Sequence, residues 1–340
     1  MPDNRLGALR RLERTEQSLR RNPEKAKKYK EIIDNYVAVG HARKLEESEA
    51  RKKNNKRWLL PHHSVSHPNK PGKIRIVFDA AAEFKGTSLN QKLLTGPDLL
   101  QELPGILIRF RERPVAIAGD IDQMFLQVAI QQQDRPALSF LWRNMEHNRP
   151  PDTYEMNKAI FGAKCSPAIA SYALRKAMEA HLGKEVQWRA EQLAKQFYMD
   201  DYVASEETPE LATRLLNTVT TLAGKGGFQL RKWTSNSKEV LASVAPSDRA
   251  NPEVDLSTPL PPGRVLGLLW DTETDTISVQ PPEKKTAFKT KRGVLASIAS
   301  TFDPLGLVAP FTLQAKLLMQ DLWKKHLSWD AELDEDDLLR

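Results

Sequence analysis

The spacing of apolar residues divides the chain into a helical beginning and a mixed remainder. Over residues 5–20, leucines recur at helical spacing among Arg and Glu, which predicts an amphipathic helix. Asn22 followed by Pro23 has the form of an N-cap and a first helical position. A second helix is therefore expected, with its apolar face over residues 32–37.

From residue 58 onward the pattern changes to short apolar stretches punctuated by Pro and Gly. Strands are predicted at residues 73–79, 115–117 and 137–142, with a hairpin at residues 265–279. Helices are predicted at residues 166–182 and 208–226, with a short one near Met124 and a mostly helical stretch at residues 284–329, broken at 303–306. Because strands alternate with helices, the fold class is α+β or α/β.

Composition narrows the classes of protein that remain. A chain of 340 residues is long enough for two or three subdomains with a sizeable core. No apolar run approaches the roughly 18 residues that a membrane span needs, so no membrane partner is expected. The first residues lack the apolar region of a signal peptide, and the single Cys165 excludes an intrachain disulfide. Both features predict an intracellular, reducing location.

The distribution of charge favours a polyanionic partner. Net charge is +7, and the first 57 residues contain seventeen Lys and Arg against nine Asp and Glu. The basic stretch at residues 51–57 is either a solvated linker or a nucleic-acid contact. Residues 330–337 are acidic, and the chain is expected to be a fragment of a longer polyprotein.

Two adjacent carboxylates are the first candidates for chemistry. Asp200 and Asp201 lie between the strand-like triplets 197–199 and 202–204, where a hairpin turn is predicted. An isolated Asp pair is usually a solvated hairpin tip. The apolar and aromatic residues on both sides indicate instead a turn that emerges from a buried sheet, where a hard divalent cation would neutralise the carboxylates.

A metal site of this kind needs a further oxygen ligand from elsewhere in the chain. Asp120, at the end of an apolar strand, is the candidate, and Ile121 could add its backbone carbonyl. Asp122 is the alternative: it stays on the same side if the strand continues, whereas a helix that begins there turns it away. Two Mg²⁺ ions about 3.5 to 4 Å apart can activate an attacking hydroxyl and stabilise a leaving pyrophosphate.

The order of these motifs resembles the palm of retroelement reverse transcriptases, in particular those of BEL/Pao-type LTR retrotransposons. The resemblance rests on Asp120 and on the segments 161–167, 198–201 and 266–268. Residues 73–79 look like the fingers strand of that family, and residues 298–307 look like the segment that follows its palm, which carries a peptidase-like family label. The resemblance covers about residues 58–330.

This resemblance implies an α+β right-hand polymerase with fingers, palm and thumb. A basic helical extension would occupy residues 1–57, the fingers and palm of the reverse transcriptase residues 58–282, and a helical thumb or connection-like segment residues 283–340. The implied function is RNA-directed DNA polymerase, a nucleotidyltransferase, as the core of a retrotransposon Pol polyprotein. Its cofactor would be Mg²⁺, with Mn²⁺ as the alternative.

The resemblance also implies a role for each matching residue. The catalytic, metal-binding groups would be Asp120, Asp200 and Asp201, with the carbonyl of Ile121. The substrate-binding residues would be Lys73 and Arg75 at the triphosphate, Phe125 against a ribose 2′-hydroxyl, and Phe161, Tyr198 and Met199. The primer grip would be Leu266, Gly267 and Leu268. Retroviral enzymes have Gln where this chain has Phe161, which leaves the sugar contact open.

The expected partners are an RNA or DNA template with its primer and deoxynucleoside triphosphates. Protease, ribonuclease H and integrase domains are expected elsewhere in the polyprotein, and the location is the cytoplasm, within retroelement particles. No ribonuclease H pattern is visible in the chain itself.

Two other functions remain as alternatives. One is a catalytically decayed retroelement fragment that only folds or binds nucleic acid. The other is an aspartic peptidase, although the Asp-Thr/Ser-Gly loops of that chemistry are missing, since residues 271–273 lack the Gly. His62, His63 and His67 lack a fourth ligand and are predicted to line a strand entry, and Cys165 is predicted to serve packing.

Overall fold

The computed structural model describes residues 1–66, 72–181, 192–280 and 289–339, and it has a mixed α/β architecture. The helices, numbered among these residues, are α1 Arg5–Arg20, α2 Pro23–Ala38, α3 Glu47–Arg51, α4 Leu89–Lys92, α5 Leu103–Phe110, α6 Met124–Gln127, α7 Ser166–His181, α8 Pro209–Lys225, α9 Lys238–Ser243, α10 Lys291–Ser300, α11 Ala309–Lys324 and α12 Glu335–Leu339. The strands are β1 Ala42–Lys44, β2 His62–Ser66, β3 Ile74–Phe78, β4 Val115–Ile121, β5 Ser139–Trp142, β6 Asp152–Met156, β7 Phe197–Tyr198, β8 Asp201–Glu206, β9 Leu230–Ser235, β10 Gly263–Val265, β11 Leu268–Asp271 and β12 Thr276–Ser278.

The chain packs as two units that alternate along the sequence. Unit 1 comprises Met1–Leu100, Asp122–Ala190 and Leu222–Phe228, and unit 2 comprises Gln101–Ile121, Glu191–Thr221 and Gln229–Arg340. Among the residues with described structure, no helix is long and apolar enough to cross a membrane.

Unit 1 contains the antiparallel sheet β1-β6-β5 and the hairpin β2-β3, against which α1 and α2 pack. Its core includes Trp58, Phe140 and Met156, all with fully buried side chains. Both predicted N-terminal helices are confirmed. The Asn22 side chain accepts a hydrogen bond from the Lys25 amide at 3.0 Å, as an N-cap does.

Unit 2 is built on the antiparallel sheet β7-β8-β4-β9, with the smaller sheet β10-β11-β12 alongside in the same unit. The side chains of Ile106, Phe110, Val203 and Trp270 form one core cluster with their neighbours. The helices α10 and α11 enclose a second cluster around Leu322 and are separated by the predicted break at residues 303–306.

Two strand predictions need correction. The strand predicted at residues 115–117 continues to Ile121, because β4 is paired on both sides, with β8 and with β9. Residues 137–142 form a strand only from Ser139, since a 3₁₀ turn occupies Arg135–Leu138 and Pro136 has no amide to donate to a ladder. The end of the helix predicted at residue 182 lies outside the described residues.

His62 is the first residue of β2, and its side chain is buried in unit 1. Its ring contacts Tyr29, Phe140 and Trp142. Nε2 donates to the Leu141 carbonyl at 2.9 Å, so Nδ1 is left to accept from the Tyr29 hydroxyl. Burial lowers the pKa of His62 from 6.5 to about 4. The neighbouring His63 is exposed, and His67 lies outside the described residues.

This buried histidine predicts a loss of stability in acid. The unfolded chain binds a proton on His62 below pH 6.5 and the folded chain only near pH 4, so stability falls as pH falls through that window. We expect His62 to contribute about 3 kcal/mol to this loss. Urea unfolding at pH 7 and at pH 4.5 should show that His62→Gln has a flatter pH dependence than the wild type. The exposed control His63→Gln should keep the wild-type slope, and an equal slope in all three proteins contradicts the assignment.

Candidate active site

The hairpin β7-β8 presents the two adjacent carboxylates. Phe197 pairs with Tyr202 and Tyr198 with Asp201, so Met199 and Asp200 are the two turn residues. Met199 adopts a left-handed backbone, with φ of +56°, as a two-residue hairpin turn of this twist requires at its first position. The prediction that both Asp residues lie in the turn is wrong, because Asp201 is already the first residue of β8.

The register between β4 and β8 puts Asp120 directly opposite Asp201. The Ile121 amide donates to the Asp200 carbonyl at 2.7 Å, which makes Ile121–Asp200 a hydrogen-bonded position of the ladder. The next position, Asp120–Asp201, is then a non-hydrogen-bonded pair, in which Cα atoms lie roughly 4.5 Å apart and side chains share one face. The structure thus brings together two of the predicted carboxylates, with Asp200 adjacent in the turn.

These carboxylates repel one another. The pKa of Asp201 is raised to about 7 by burial of its carboxyl and by the negative charges of Asp200 and Asp120, while Lys232 opposes the shift. The Lys232 ammonium forms an ion pair with the Asp120 carboxylate. A cation thus already lies against one member of the carboxylate cluster.

The donor set suits a hard divalent cation. Mg²⁺ prefers oxygen ligands and is commonly held by one or two carboxylates, with waters and substrate phosphates completing its shell. Asp120 and Asp201 supply such a pair, and a divalent cation would offset the repulsion that, after burial, helps to raise the pKa of Asp201. Within the described parts of the chain, no group of three or more His, Cys, Asp or Glu is preformed to hold a metal. The carboxylates thus fit a site that substrate completes.

The charge on Asp201 predicts that the hairpin is destabilised at alkaline pH. The folded state keeps a proton on Asp201 up to about pH 7 and the unfolded state only to 3.8, so stability is lost as pH rises through this window. Without divalent cations, the free energy of unfolding of Asp201→Asn should exceed that of the wild type by about 2 kcal/mol at pH 8, since partial exposure screens part of the full pKa shift. At pH 4 the two proteins should have the same free energy of unfolding.

Urea unfolding in EDTA at these two pH values measures the difference. The control Glu206→Gln, at the other end of β8, should show the same small effect at both pH values. A stabilisation by Asp201→Asn that is as large at pH 4 as at pH 8 contradicts the electrostatic cause.

Asp122, the alternative to Asp120, lies beyond the end of β4 in the turn before α6. Its carboxylate accepts a hydrogen bond from the Gln123 side chain at 3.4 Å and its carbonyl one from Gln127 at 3.1 Å. The ladder places Asp120, and not Asp122, opposite Asp201.

In unit 1 the structure pairs two of the predicted substrate-binding residues. The rings of Phe125, in α6, and Phe161 lie 4.7 Å apart between centroids and are tilted by 56°. Both side chains are partly exposed. Arg75 is exposed on β3, on the face opposite the buried Ile76, and Lys73 is exposed just before that strand.

In unit 2 the predicted primer-grip residues form a second tight hairpin. Val265 pairs with Leu268, so Leu266 and Gly267 make the turn between β10 and β11, both at positive φ (+49° and +88°). A Cβ on Gly267 would lie 2.8 Å from the Phe302 ring, which explains the glycine. Tyr198 packs at the edge of the core cluster that contains Val265.

Lys232 is the residue of this site that the sequence pattern did not indicate. It lies in β9, which pairs with β4 on the side opposite β8. The apolar residues at 228, 230 and 233 are a weak strand signal, and they leave open which partner the strand has. Its proximity to Asp120 depends on a register that only the folded sheet defines.

Comparison with protein families finds one match. Residues 290–340 match the family described as a Pao retrotransposon-like RNaseH-like domain. This RNaseH-like description replaces the peptidase-like label that was expected for residues 298–307, and it corrects the expectation that the chain has no ribonuclease H pattern. The described part of the segment consists mainly of α10, α11 and α12. No curated protein sequence matches the chain significantly.

Among solved structures, the chain resembles a foamy viral protease-reverse transcriptase dRH in complex with double-stranded DNA. The TM-score is 0.59 at 13% sequence identity, and the match covers 90% of this chain and 44% of the foamy viral chain. The chain therefore spans less than half of that protein's length. At this identity the likeness concerns the fold: the chain has a mixed α/β fold similar to that of a retroviral reverse transcriptase-related polymerase, together with a Pao retrotransposon-like segment at residues 290–340.

Proposed function

We propose that the chain is the reverse transcriptase core of a BEL/Pao-type Pol polyprotein and extends a primer by two-metal nucleotidyl transfer. The observation that carries this proposal is the cross-strand pair of Asp120 and Asp201, with Asp200 beside it in the turn. Adjacent strands that hold carboxylates face to face are suited to divalent metal and phosphate chemistry. The reverse transcriptase-related fold agrees with that chemistry.

Asp120, Asp200 and Asp201 would hold Mg²⁺ or Mn²⁺, with the Ile121 carbonyl as a further oxygen. Bound metal would lower the pKa of the primer hydroxyl and stabilise charge on the leaving pyrophosphate. The left-handed turn at Met199 holds Asp200 next to β8, and the ladder to β4 fixes Asp120 opposite Asp201. These backbone constraints orient the carboxylates before substrate arrives.

The remaining residues would bind and select the substrate. In this proposal Arg75 and Lys73 bind the triphosphate through their exposed positive charges. The ring of Phe125 excludes a ribose 2′-hydroxyl, and Phe161, Tyr198 and Met199 contact the nucleotide. The hairpin at residues 265–268 holds the primer strand, since glycine permits a close backbone approach.

The proposed partners are a primed RNA or DNA template and deoxynucleoside triphosphates, and the proposed setting is a retroelement particle in the cytoplasm. The basic extension supports a nucleic-acid partner, since Arg10, Arg14 and Arg21 are exposed along α1 and just after it. Binding through phosphates would weaken steeply with salt concentration. Protease, ribonuclease H and integrase functions would belong to other parts of the polyprotein.

Primer extension tests this function. The protein is incubated with a DNA primer on an RNA template, deoxynucleoside triphosphates and Mg²⁺, and products are resolved by length. The wild type should extend the primer, and Asp200→Asn should fall to background while it retains the wild-type melting temperature within a few degrees. Absence of extension by the wild type with either Mg²⁺ or Mn²⁺, on both RNA and DNA templates, contradicts the proposal.

A catalytically decayed copy is the second candidate, and Phe161 is the observation that favours it. A phenyl ring packed against Phe125 cannot make the hydrogen bonds that a Gln side chain makes at this position. Such a protein would shift a primed template in an electrophoretic assay and extend nothing. Extension by the wild type would exclude it.

A further inference from the structure

Strand β9 contains a bulge beside the carboxylate cluster. Ala118 pairs with Thr234 and Asp120 with Arg231, so two residues of β9, Lys232 and Trp233, lie opposite the single Gly119. Lys232 has a left-handed backbone, with φ of +55°. Glycine is the usual residue at such a position of a bulge, because a side chain is strained there. Bulges of this kind reorient a side chain relative to the regular alternation of the strand.

The bulge is held by packing on both sides of Lys232. Leu230 and Trp233 are buried, and Gly119 leaves room for the Trp233 ring, which would lie 2.8 Å from a Cβ at that position. The surrounding structure thus enforces a backbone conformation that lysine disfavours. Strain that is maintained in this way is concentrated at functional sites.

The bulge brings Lys232, and not its neighbour, to Asp120. Arg231 is the register partner of Asp120, yet its guanidinium donates to the Gln229 side chain at 3.0 Å. The Lys232 ammonium forms the ion pair with Asp120 instead. That pair is open to solvent, since the lysine side chain is 50% exposed and the aspartate 25%. Exposed ion pairs are weak, so this one can be exchanged at little cost.

We propose that Lys232 is a removable counter-cation, which holds the Asp120 carboxylate when no divalent metal is bound and competes with the metal for it. This inference rests on the proposed function and adds a residue that sets the metal affinity of the site. Both cations use oxygens of the same carboxylate and repel each other, so the ammonium opposes the binding of a metal ion to Asp120. Removal of the lysine charge therefore leaves a more negative cluster, which binds metal more tightly.

Binding of Mn²⁺ to the full chain tests the proposal without reference to activity. Free Mn²⁺ is measured by electron paramagnetic resonance at fixed pH and salt for the wild type and for Lys232→Met, Lys232→Arg, Arg231→Met and Asp120→Asn. Lys232→Met should lower the dissociation constant about tenfold. Lys232→Arg keeps the charge and should stay within about twofold of the wild type. Arg231→Met removes the same charge one residue away and should also stay within about twofold.

The outcomes distinguish a failure of the inference about Lys232 from a failure of the proposed function. Suppose that Mn²⁺ binding depends on Asp120 but that Lys232→Met binds Mn²⁺ like the wild type or like Arg231→Met. Lys232 then does not compete with the metal, and the proposed metal site at Asp120 is kept. If no protein shows Mn²⁺ binding that Asp120→Asn removes, the inference is overturned, whereas the proposed function is decided separately by primer extension. Lys232→Gly suits the left-handed backbone, so it provides the same test should Lys232→Met fold poorly.

Discussion

Replacement of Asp120 by Asn is expected to abolish primer extension, with a loss of at least about a thousandfold in kcat/KM. The change keeps the size of the side chain and removes the negative charge that faces Asp201 across the β4-β8 ladder. An amide is a poor ligand for a metal that must neutralise phosphate charge. The fold should persist, because the Asp120 side chain is partly exposed and its ion pair with Lys232 is accessible to solvent.

Asp122→Asn provides the matched control for this prediction. It makes the same chemical change two residues further along, beyond the end of β4, where the carboxylate accepts a hydrogen bond from Gln123 in the local turn. This variant should extend primers within about threefold of the wild type, as expected for a substitution outside the metal-binding set. Equal losses of primer extension in the two variants, or a larger loss with Asp122→Asn, would contradict the assignment of Asp120 as the metal ligand.

Local patterns in the sequence were sufficient for the parts of the fold that local interactions determine. The leucines of residues 5–20 and the Asn22-Pro23 pair predicted two helices that the structure confirms, since periodicity and capping act within a few residues. The hairpin around Asp200 was predicted for the same reason. Its boundary was placed one residue too late, because the positive φ of Met199 at the first turn position gives no compositional signal.

Long-range pairing was what the sequence could not supply. Strand β9 follows β4 by more than one hundred residues, and nothing in its composition indicates that it pairs with β4. The bulge at Lys232 is a consequence of that pairing and of the contact between Trp233 and Gly119. The proximity of Lys232 to Asp120 could therefore not be predicted, whereas Asp120 itself could be proposed from the apolar strand before it. The role of each carboxylate stays a prediction until extension is measured.

The segment 161–167 shows how a motif can be explained by packing alone. Gly162 has a φ of +110°, and a Cβ there would lie 1.9 Å from the Phe78 carbonyl oxygen. The Phe78 amide donates to the Phe161 carbonyl at 3.3 Å, and the Asn90 side chain donates to the Gly162 carbonyl at 3.0 Å. The loop is thus fixed against the end of β3, where the backbone leaves no space for any side chain.

Gly162→Ala is consequently expected to cost more than about 4 kcal/mol of the free energy of unfolding, through backbone strain and a clash with backbone that cannot move aside. Urea unfolding followed by tryptophan fluorescence suits the measurement, because Trp58 and Trp142 are buried in the same unit.

The control Gly86→Ala separates the two causes. Gly86 also has a left-handed backbone, with φ of +71°, but open space surrounds its missing Cβ. Its loss should be only about 1 kcal/mol, the cost of the backbone conformation by itself. If the two variants lose equal stability, the contact with Phe78 does not constrain the loop, and the packing explanation of the motif fails. A large loss confined to Gly162→Ala would mean that this glycine is required for folding whether or not the chain polymerises, so its presence in the motif is not evidence of activity.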